Sequence, residues 1–166
     1  MAKADFDVVK APGSVRNYKV NDRDTSTLTQ ALQPGEIVKR ATTFVTLVAS
    51  GDPEIGTDEV VGIVAEASSE TATADGTVDV VTLIPGQTVL RGKPVTAGNI
   101  DTESELLAYL NGQVNFDWTS GYTSNLRIDE DQTDDPNVKG VRILAGDVDK
   151  QTLDVIIHVL ATEAGS

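Results

Sequence analysis

The sequence predicts a mainly β protein, either a small β-barrel or a β-sandwich, with one short helix and an extended N-terminal arm. Valine and threonine are abundant among the 166 residues, and their stiff, β-branched side chains fit a pleated sheet. Short apolar runs alternate with turn signals such as Pro34-Gly35 and Pro85-Gly86, a spacing typical of barrels and sandwiches. Only three Phe, three Tyr and one Trp are present, so the core must be largely aliphatic.

Residues 1–34 are predicted to form the arm. Val8-Val9 and Val15–Val20 predict two short strands, but Pro12-Gly13 and Asn21-Asp22 interrupt them. A segment with so few apolar anchors buries little surface of its own. Two alternatives remain open for this arm: it is loose, or a partner orders it.

Residues 35–98 are predicted to form the core β-barrel unit. Five apolar runs predict its strands: Glu36–Arg40, Thr43–Ser50, Val60–Ala65, Thr77–Ile84 and Thr88–Leu90. Gly62 lies inside a strand pattern, which predicts a bulge or a close approach of another backbone segment. The polar link Ser68–Gly76 is expected to be exposed.

Residues 99–166 either complete the barrel or form a second β subdomain. Thr102 and Glu105 fit a capping box, and the helix that follows is expected to direct Leu106, Leu107 and Leu110 to the core and to end at Gly112. Four further runs predict strands: Gln113–Trp118, Leu126–Asp129, Val138–Ala145 and Thr152–Ala161. The last run has apolar residues on both faces, so it is predicted to be central in its sheet or covered by another subunit.

Charge and composition limit the classes of partner. The net charge is −13, which argues against a broad surface for nucleic acid or for an anionic membrane. Residues 1–40 contain seven Lys and Arg against five Asp and Glu, whereas the remaining 126 residues carry a net charge of −15. The chain has no cysteine, so it has neither disulfides nor thiolate metal sites. Its acidic N-terminus and its short apolar runs predict neither an export signal nor a membrane span, and we expect a protein that is soluble.

The sequence predicts no enzyme active site, no cofactor and no metal centre. Oxygen-bearing residues alternate from Asp129 to Asp135 as in a calcium loop, but the loop would need Gly at the position of Asp134 and Glu at that of Gly140. A solvated acidic turn is the simpler interpretation. His158 is the only histidine, and a general base would need a nucleophile and usually an orienting carboxylate. It is interpreted as a packed or interface residue, because it alternates with apolar residues on a predicted inner strand.

The run from Gly56 to Val95 resembles the core of the head decoration (cement) proteins of tailed bacteriophages, of the phage lambda type. The similar features are a Val61–Ala65 strand, a Ser/Thr-rich link, a valine-rich strand, and a return that opens on Gly86 and closes on Leu90-Arg91. The start at Pro34–Val38 is also similar.

This resemblance implies a structural virion protein that is made in the host cytoplasm and binds the outer surface of a capsid as a homotrimer. Its partners would be the major capsid protein and copies of itself, and its N-terminal arm would clamp neighbouring capsid subunits. The candidate capsid contacts are Lys3, Lys10, Arg16, Lys19 and Arg23. The alternatives are another virion β module, from the tail, the baseplate or a head fibre, or a module that binds carbohydrate or protein, for which Trp118 and Tyr122 offer few aromatic platforms.

Overall fold

A computed structural model describes residues 6–24, 28, 30–48, 60–118, 126–131 and 141–157. This part of the chain is mainly β, as the sequence predicts. Its strands are β1 (Asp7–Lys10), β2 (Val15–Val20), β3 (Ile37–Ala41), β4 (Phe44–Leu47), β5 (Val60–Val64), β6 (Gly76–Thr82), β7 (Val89–Gly92), β8 (Gln113–Trp118), β9 (Leu126–Asp129), β10 (Val141–Asp147) and β11 (Thr152–Ile157). A 3-10 helix (Ala97–Ile100) and a helix α1 (Glu103–Tyr109) lie between β7 and β8.

The strands form two antiparallel sheets in a sandwich-like arrangement. One sheet has the order β1-β7-β11-β10-β8-β9, and the other has the order β2-β6-β5-β3-β4. The five-stranded sheet curls, so that its edge strands β2 and β4 approach to within 8 Å between Cα atoms. Because no strand ladder joins β2 to β4 among the described residues, the sheet is not a closed barrel, and of the two predicted forms the sandwich fits.

Two apolar cores lie on the two faces of the five-stranded sheet. Strand alternation separates them: Ile37 and Ile63 pack in the core shared with the six-stranded sheet, whereas their neighbours Val38 and Val64 pack on the opposite, concave face. Successive side chains of a strand point to opposite faces, so each central strand contributes to both cores. This accounts for runs such as Val60–Val64, which are apolar throughout.

The first 34 residues are more closely integrated than an arm would be. β1 pairs with β7 in one sheet and β2 pairs with β6 in the other, so the chain crosses between the sheets at residues 11–14. Phe6 is only 2% exposed, and its ring lies 4.7 Å from that of Phe116 between centroids. The described part of this segment is therefore ordered by the chain's own body, because a few large anchors are enough when they enter a core that other elements have built.

The link Ser68–Gly76 is only partly exposed, which corrects the expectation. Ser68 is buried, and its hydroxyl accepts a hydrogen bond from the Leu32 amide at 2.7 Å. Residues 71–75 are exposed.

Gly62 of β5 lies at a close approach of another strand, as predicted, because a Cβ there would collide with the Val81 carbonyl of β6.

Helix α1 begins at the predicted capping box. The Thr102 hydroxyl accepts from the Glu105 amide, and the Glu105 carboxylate accepts from the Thr102 amide at 2.9 Å. Leu106 is buried. Leu107 is 66% exposed, so the prediction that it faces the core is wrong; a seven-residue helix presents only a narrow face to one sheet.

The end of α1 also differs from the prediction. Asn111, and not Gly112, adopts the left-handed conformation after the helix, with φ of 66°. Asparagine tolerates this region better than most residues other than glycine.

Among the described residues, none of the helices has the length and apolar character that a membrane span requires.

Strand β11 is central in its sheet, as its two apolar faces predict, and pairs with β7 and β10. Leu153, Val155 and Ile157 are buried on one of its faces. β8–β11 therefore belong to the same six-stranded sheet as β1 and β7. The predicted extension of this run to residues 158–161 lies outside the described residues, as do residues 138–140 before β10.

Candidate functional site

The first two strands lie at edges of the two sheets and carry exposed side chains that are apolar or basic. We call this group the β1–β2 patch and define it as Val8, Val9 and Lys10 of β1 with Val15 and Arg16 of β2. The three valines are 42%, 47% and 57% exposed, and both basic residues are exposed. All five lie close to the crossing between the sheets. Exposed apolar groups rimmed by charge are typical of interaction surfaces.

The structure separates the predicted capsid contacts into two groups. Lys10 and Arg16 belong to the β1–β2 patch, and Lys3 lies outside the described residues. Lys19 is exposed, but its ammonium lies 2.8 Å from the Asp75 carboxylate, which lowers the pKa of Asp75. Arg23 is half-buried, and its amide donates to the Thr71 carbonyl at 3.0 Å. Lys19 therefore holds the link against β2, and the ion pair of Lys19 and the half-burial of Arg23 make both side chains less available to a partner.

The start of the link also contains a buried carboxylate. Glu70 is 4% exposed, and neither of its carboxylate oxygens has a hydrogen-bond partner. The Nε atom of Arg23 is likewise buried without one. Burying a carboxylate without a partner is costly, and no hydrogen bond from the described residues offsets that cost.

A small cavity lies where the edges of the five-stranded sheet approach each other. We call it the seam pocket and define it by its lining residues, which are Tyr18 of β2, Arg40 of β3, Thr42 and Thr43 of the hairpin turn, and Phe44 and Val45 of β4. Its volume is about 130 Å³. Thr42 has a φ of 41°, an unfavourable conformation for a β-branched residue. Such strain persists only where the surroundings impose it.

The acidic loop that resembles a calcium site has a structural role at its start. Glu130 is fully buried, so the interpretation as a solvated turn is wrong for this residue. Its carboxylate accepts hydrogen bonds of 3.0 Å from the Val95 amide, the Thr96 amide and the Asn99 side chain. Glu130 thereby fixes the segment that enters the 3-10 helix. Residues 132–135, with the rest of the calcium-like pattern, lie outside the described residues.

Two groups at this loop have perturbed pKa values. Burial raises the pKa of Glu130, although its hydrogen bonds oppose the shift. The pKa of Tyr109 is also raised, first by burial and then by the charge of Asp131, which accepts from the Tyr109 hydroxyl at 3.2 Å. Glu130 thus joins the loop after β9 to the segment before the 3-10 helix, and Tyr109 joins α1 to the same loop.

The remaining candidates for chemistry are not clustered in the described structure. No group of three or more His, Asp or Glu side chains that could hold a metal ion occurs among the described residues. His158 and Tyr122 lie outside them. Trp118 ends β8, but its side chain is not described, so the carbohydrate alternative has no described platform.

Sequence patterns could have indicated one of the features that sequence reasoning missed. A glutamate that directly follows a strand and precedes a turn is a suitable acceptor for free backbone amides, which could have distinguished Glu130 from its solvated neighbours. The seam pocket has no such pattern, because it depends on how far the sheet curls.

Comparison of the chain with protein-family models, with curated proteins and with solved structures found no match to any of them.

Proposed function

We propose that this protein is a structural virion protein, a decoration or cement protein that binds the outer surface of a bacteriophage capsid as a trimer and stabilises the shell. The observation that carries the proposal is the β1–β2 patch, a group of exposed apolar and basic side chains on two edge strands of an otherwise acidic protein. The resemblance of residues 56–95 to decoration proteins supports the same conclusion.

Charge distribution favours one orientation on the capsid. Lys10 and Arg16 follow exposed valines in the sequence, whereas the chain beyond residue 40 is strongly acidic. An acidic, partly apolar surface on the partner would attract this patch and repel the acidic body. Such complementarity chiefly determines the association rate and the orientation of binding.

Cosedimentation with expanded, undecorated capsids tests the proposal. The wild-type protein should sediment with the capsids, and binding should weaken as salt rises, because exposed charges are screened. The double variant Lys10→Glu with Arg16→Glu should bind at least about tenfold more weakly, as expected when close charge pairs are lost. The variants keep the two strands, so a loss of binding reports on the surface and not on a missing segment.

Lys150→Glu is the matched control, because Lys150 is exposed in the turn between β10 and β11 and pairs with Asp147. It should bind capsids as the wild type does. Equal binding by the patch variant and the control would contradict the role of the patch. Failure of the wild type to sediment with capsids would contradict the decoration function itself, and co-purification with tails would favour another virion module.

A further inference from the structure

The seam pocket has the size and lining to hold one apolar side chain. Its volume is about 130 Å³, close to the ~150 Å³ cavity that binds benzene. Tyr18 and Phe44 line the pocket and are only half-buried although both are aromatic. A side chain of leucine size would cover them.

Positive charge lies beside this opening. Arg40 lines the pocket, and it pairs with Val45 across the β3–β4 ladder, so both lie on the concave face. Arg40 also has an interaction within its own chain. The surroundings therefore favour an apolar group accompanied by a carboxylate.

Helix α1 offers this combination. Leu107 is 66% exposed, the highest value among the exposed large hydrophobic residues of the described chain. Glu103 precedes it by four residues and is also exposed, and residues four apart are neighbours on one face of a helix. An exposed leucine beside an exposed glutamate complements a pocket lined by aromatic and basic residues.

We infer that the seam pocket of one copy of this chain receives Leu107 from a second copy, with Glu103 of that copy against Arg40. This inference rests on the trimeric part of the proposed function and adds the contact that would join the subunits. α1 packs on the six-stranded sheet, where Leu106 contacts Gly146 of β10, whereas the pocket belongs to the five-stranded sheet. The two surfaces differ, so the contact is heterologous, and it closes into a trimer when a three-fold rotation relates the copies.

Sedimentation equilibrium of the purified full-length protein, without capsids, tests the inference. The wild type should form a trimer that dissociates on dilution. Leu107→Gln should raise the dissociation constant roughly 10- to 100-fold, the range expected when a buried leucine is lost. Ala108→Ser, in the same helix and also exposed, should leave it unchanged.

A charge exchange distinguishes direct contact from damage to the fold. Arg40→Glu and Glu103→Arg should each weaken assembly about tenfold or more, and the double variant should recover most of the loss. Ser104→Arg is the control for adding a positive charge to the first turn of α1. Far-ultraviolet circular dichroism should be the same for all variants.

Three results would overturn the inference. One is a wild type that is monomeric throughout the concentration range. Another is a dissociation constant that Leu107→Gln leaves unchanged. The third is a double variant, Arg40→Glu with Glu103→Arg, that assembles no more tightly than either single variant. If the monomeric wild type still sediments with capsids, only this inference fails; if the protein assembles as stated but ignores capsids, only the decoration function fails. Variants that lose capsid binding with unchanged assembly would identify the occupant of the pocket as a capsid segment.

Discussion

Phe6 provides the sharpest test of whether the N-terminal segment belongs to the fold. Its side chain is 2% exposed and packs against Phe116 and over Gly92. Phe6→Ala removes the ring from this core, and substitutions of this type reduce the free energy of unfolding by about 3–5 kcal/mol. About 0.5–1.5 kcal/mol of that loss comes from the aromatic pair. Because domains are stable by only about 5–15 kcal/mol, the variant should lose a large part of its stability.

Urea unfolding followed by far-ultraviolet circular dichroism measures the effect. Val9→Ala is the matched control, since Val9 lies in β1 only three residues later and is 47% exposed; its free energy of unfolding should change by less than about 0.5 kcal/mol. A loss below about 1 kcal/mol for Phe6→Ala would show that the segment is only loosely attached, and the reasoning from its burial would be refuted.

Three further predictions concern a glycine in β5 and the loop after β9. Gly62→Ala should lower the free energy of unfolding by about 1–3 kcal/mol in urea titrations, because the new Cβ would collide with the Val81 carbonyl; an unchanged midpoint would contradict the close approach. Burial raises the pKa of Glu130, so folding favours its protonated form. The unfolding free energy of the wild type minus that of Glu130→Gln should therefore be greatest below the unfolded-state pKa and should fall as pH rises through the folded-state pKa. A rise of this quantity with pH would contradict the prediction. Asp131→Asn should lower the pKa of Tyr109, measured from tyrosinate absorbance with Tyr109→Phe as the reference, and no shift would exclude the contact.

Local patterns predicted the elements well because their causes are local. The capping box of α1 depends on two residues three apart, Thr102 and Glu105, and the central position of β11 follows from apolar side chains on both of its faces. Burial of Phe6 and exposure of Leu107 depend instead on contacts made by distant strands. A single phenylalanine in a polar segment gives no indication that β7 and β8 will enclose it, and a leucine pair in a helix does not show which member the sheet can reach.

The same limit applies to the candidate surface. Sequence alone placed Lys10, Arg16, Lys19 and Arg23 in one basic segment, because neighbours in sequence share a segment whatever their contacts. The fold divides them, since Lys19 forms an ion pair with Asp75 and the Arg23 amide donates a hydrogen bond to the Thr71 carbonyl of the link. Pairing of β2 with β6 creates this division, because it brings the acidic end of the link beside β2.

The integration of β1 and β2 changes how a contact role for the N-terminal segment must be tested. If residues 1–34 were an independent arm, deleting them would leave the fold intact, and any loss of capsid binding would report on the arm. In this structure the deletion removes one strand from each sheet together with the buried Phe6, Val20 and Leu32, so it removes core and surface at once. Loss of binding after truncation would then be expected whether or not the segment contacts a capsid. Only substitutions on exposed atoms, such as Lys10 and Arg16, separate the two effects, because they change the surface charge and leave both strands and their buried anchors in place.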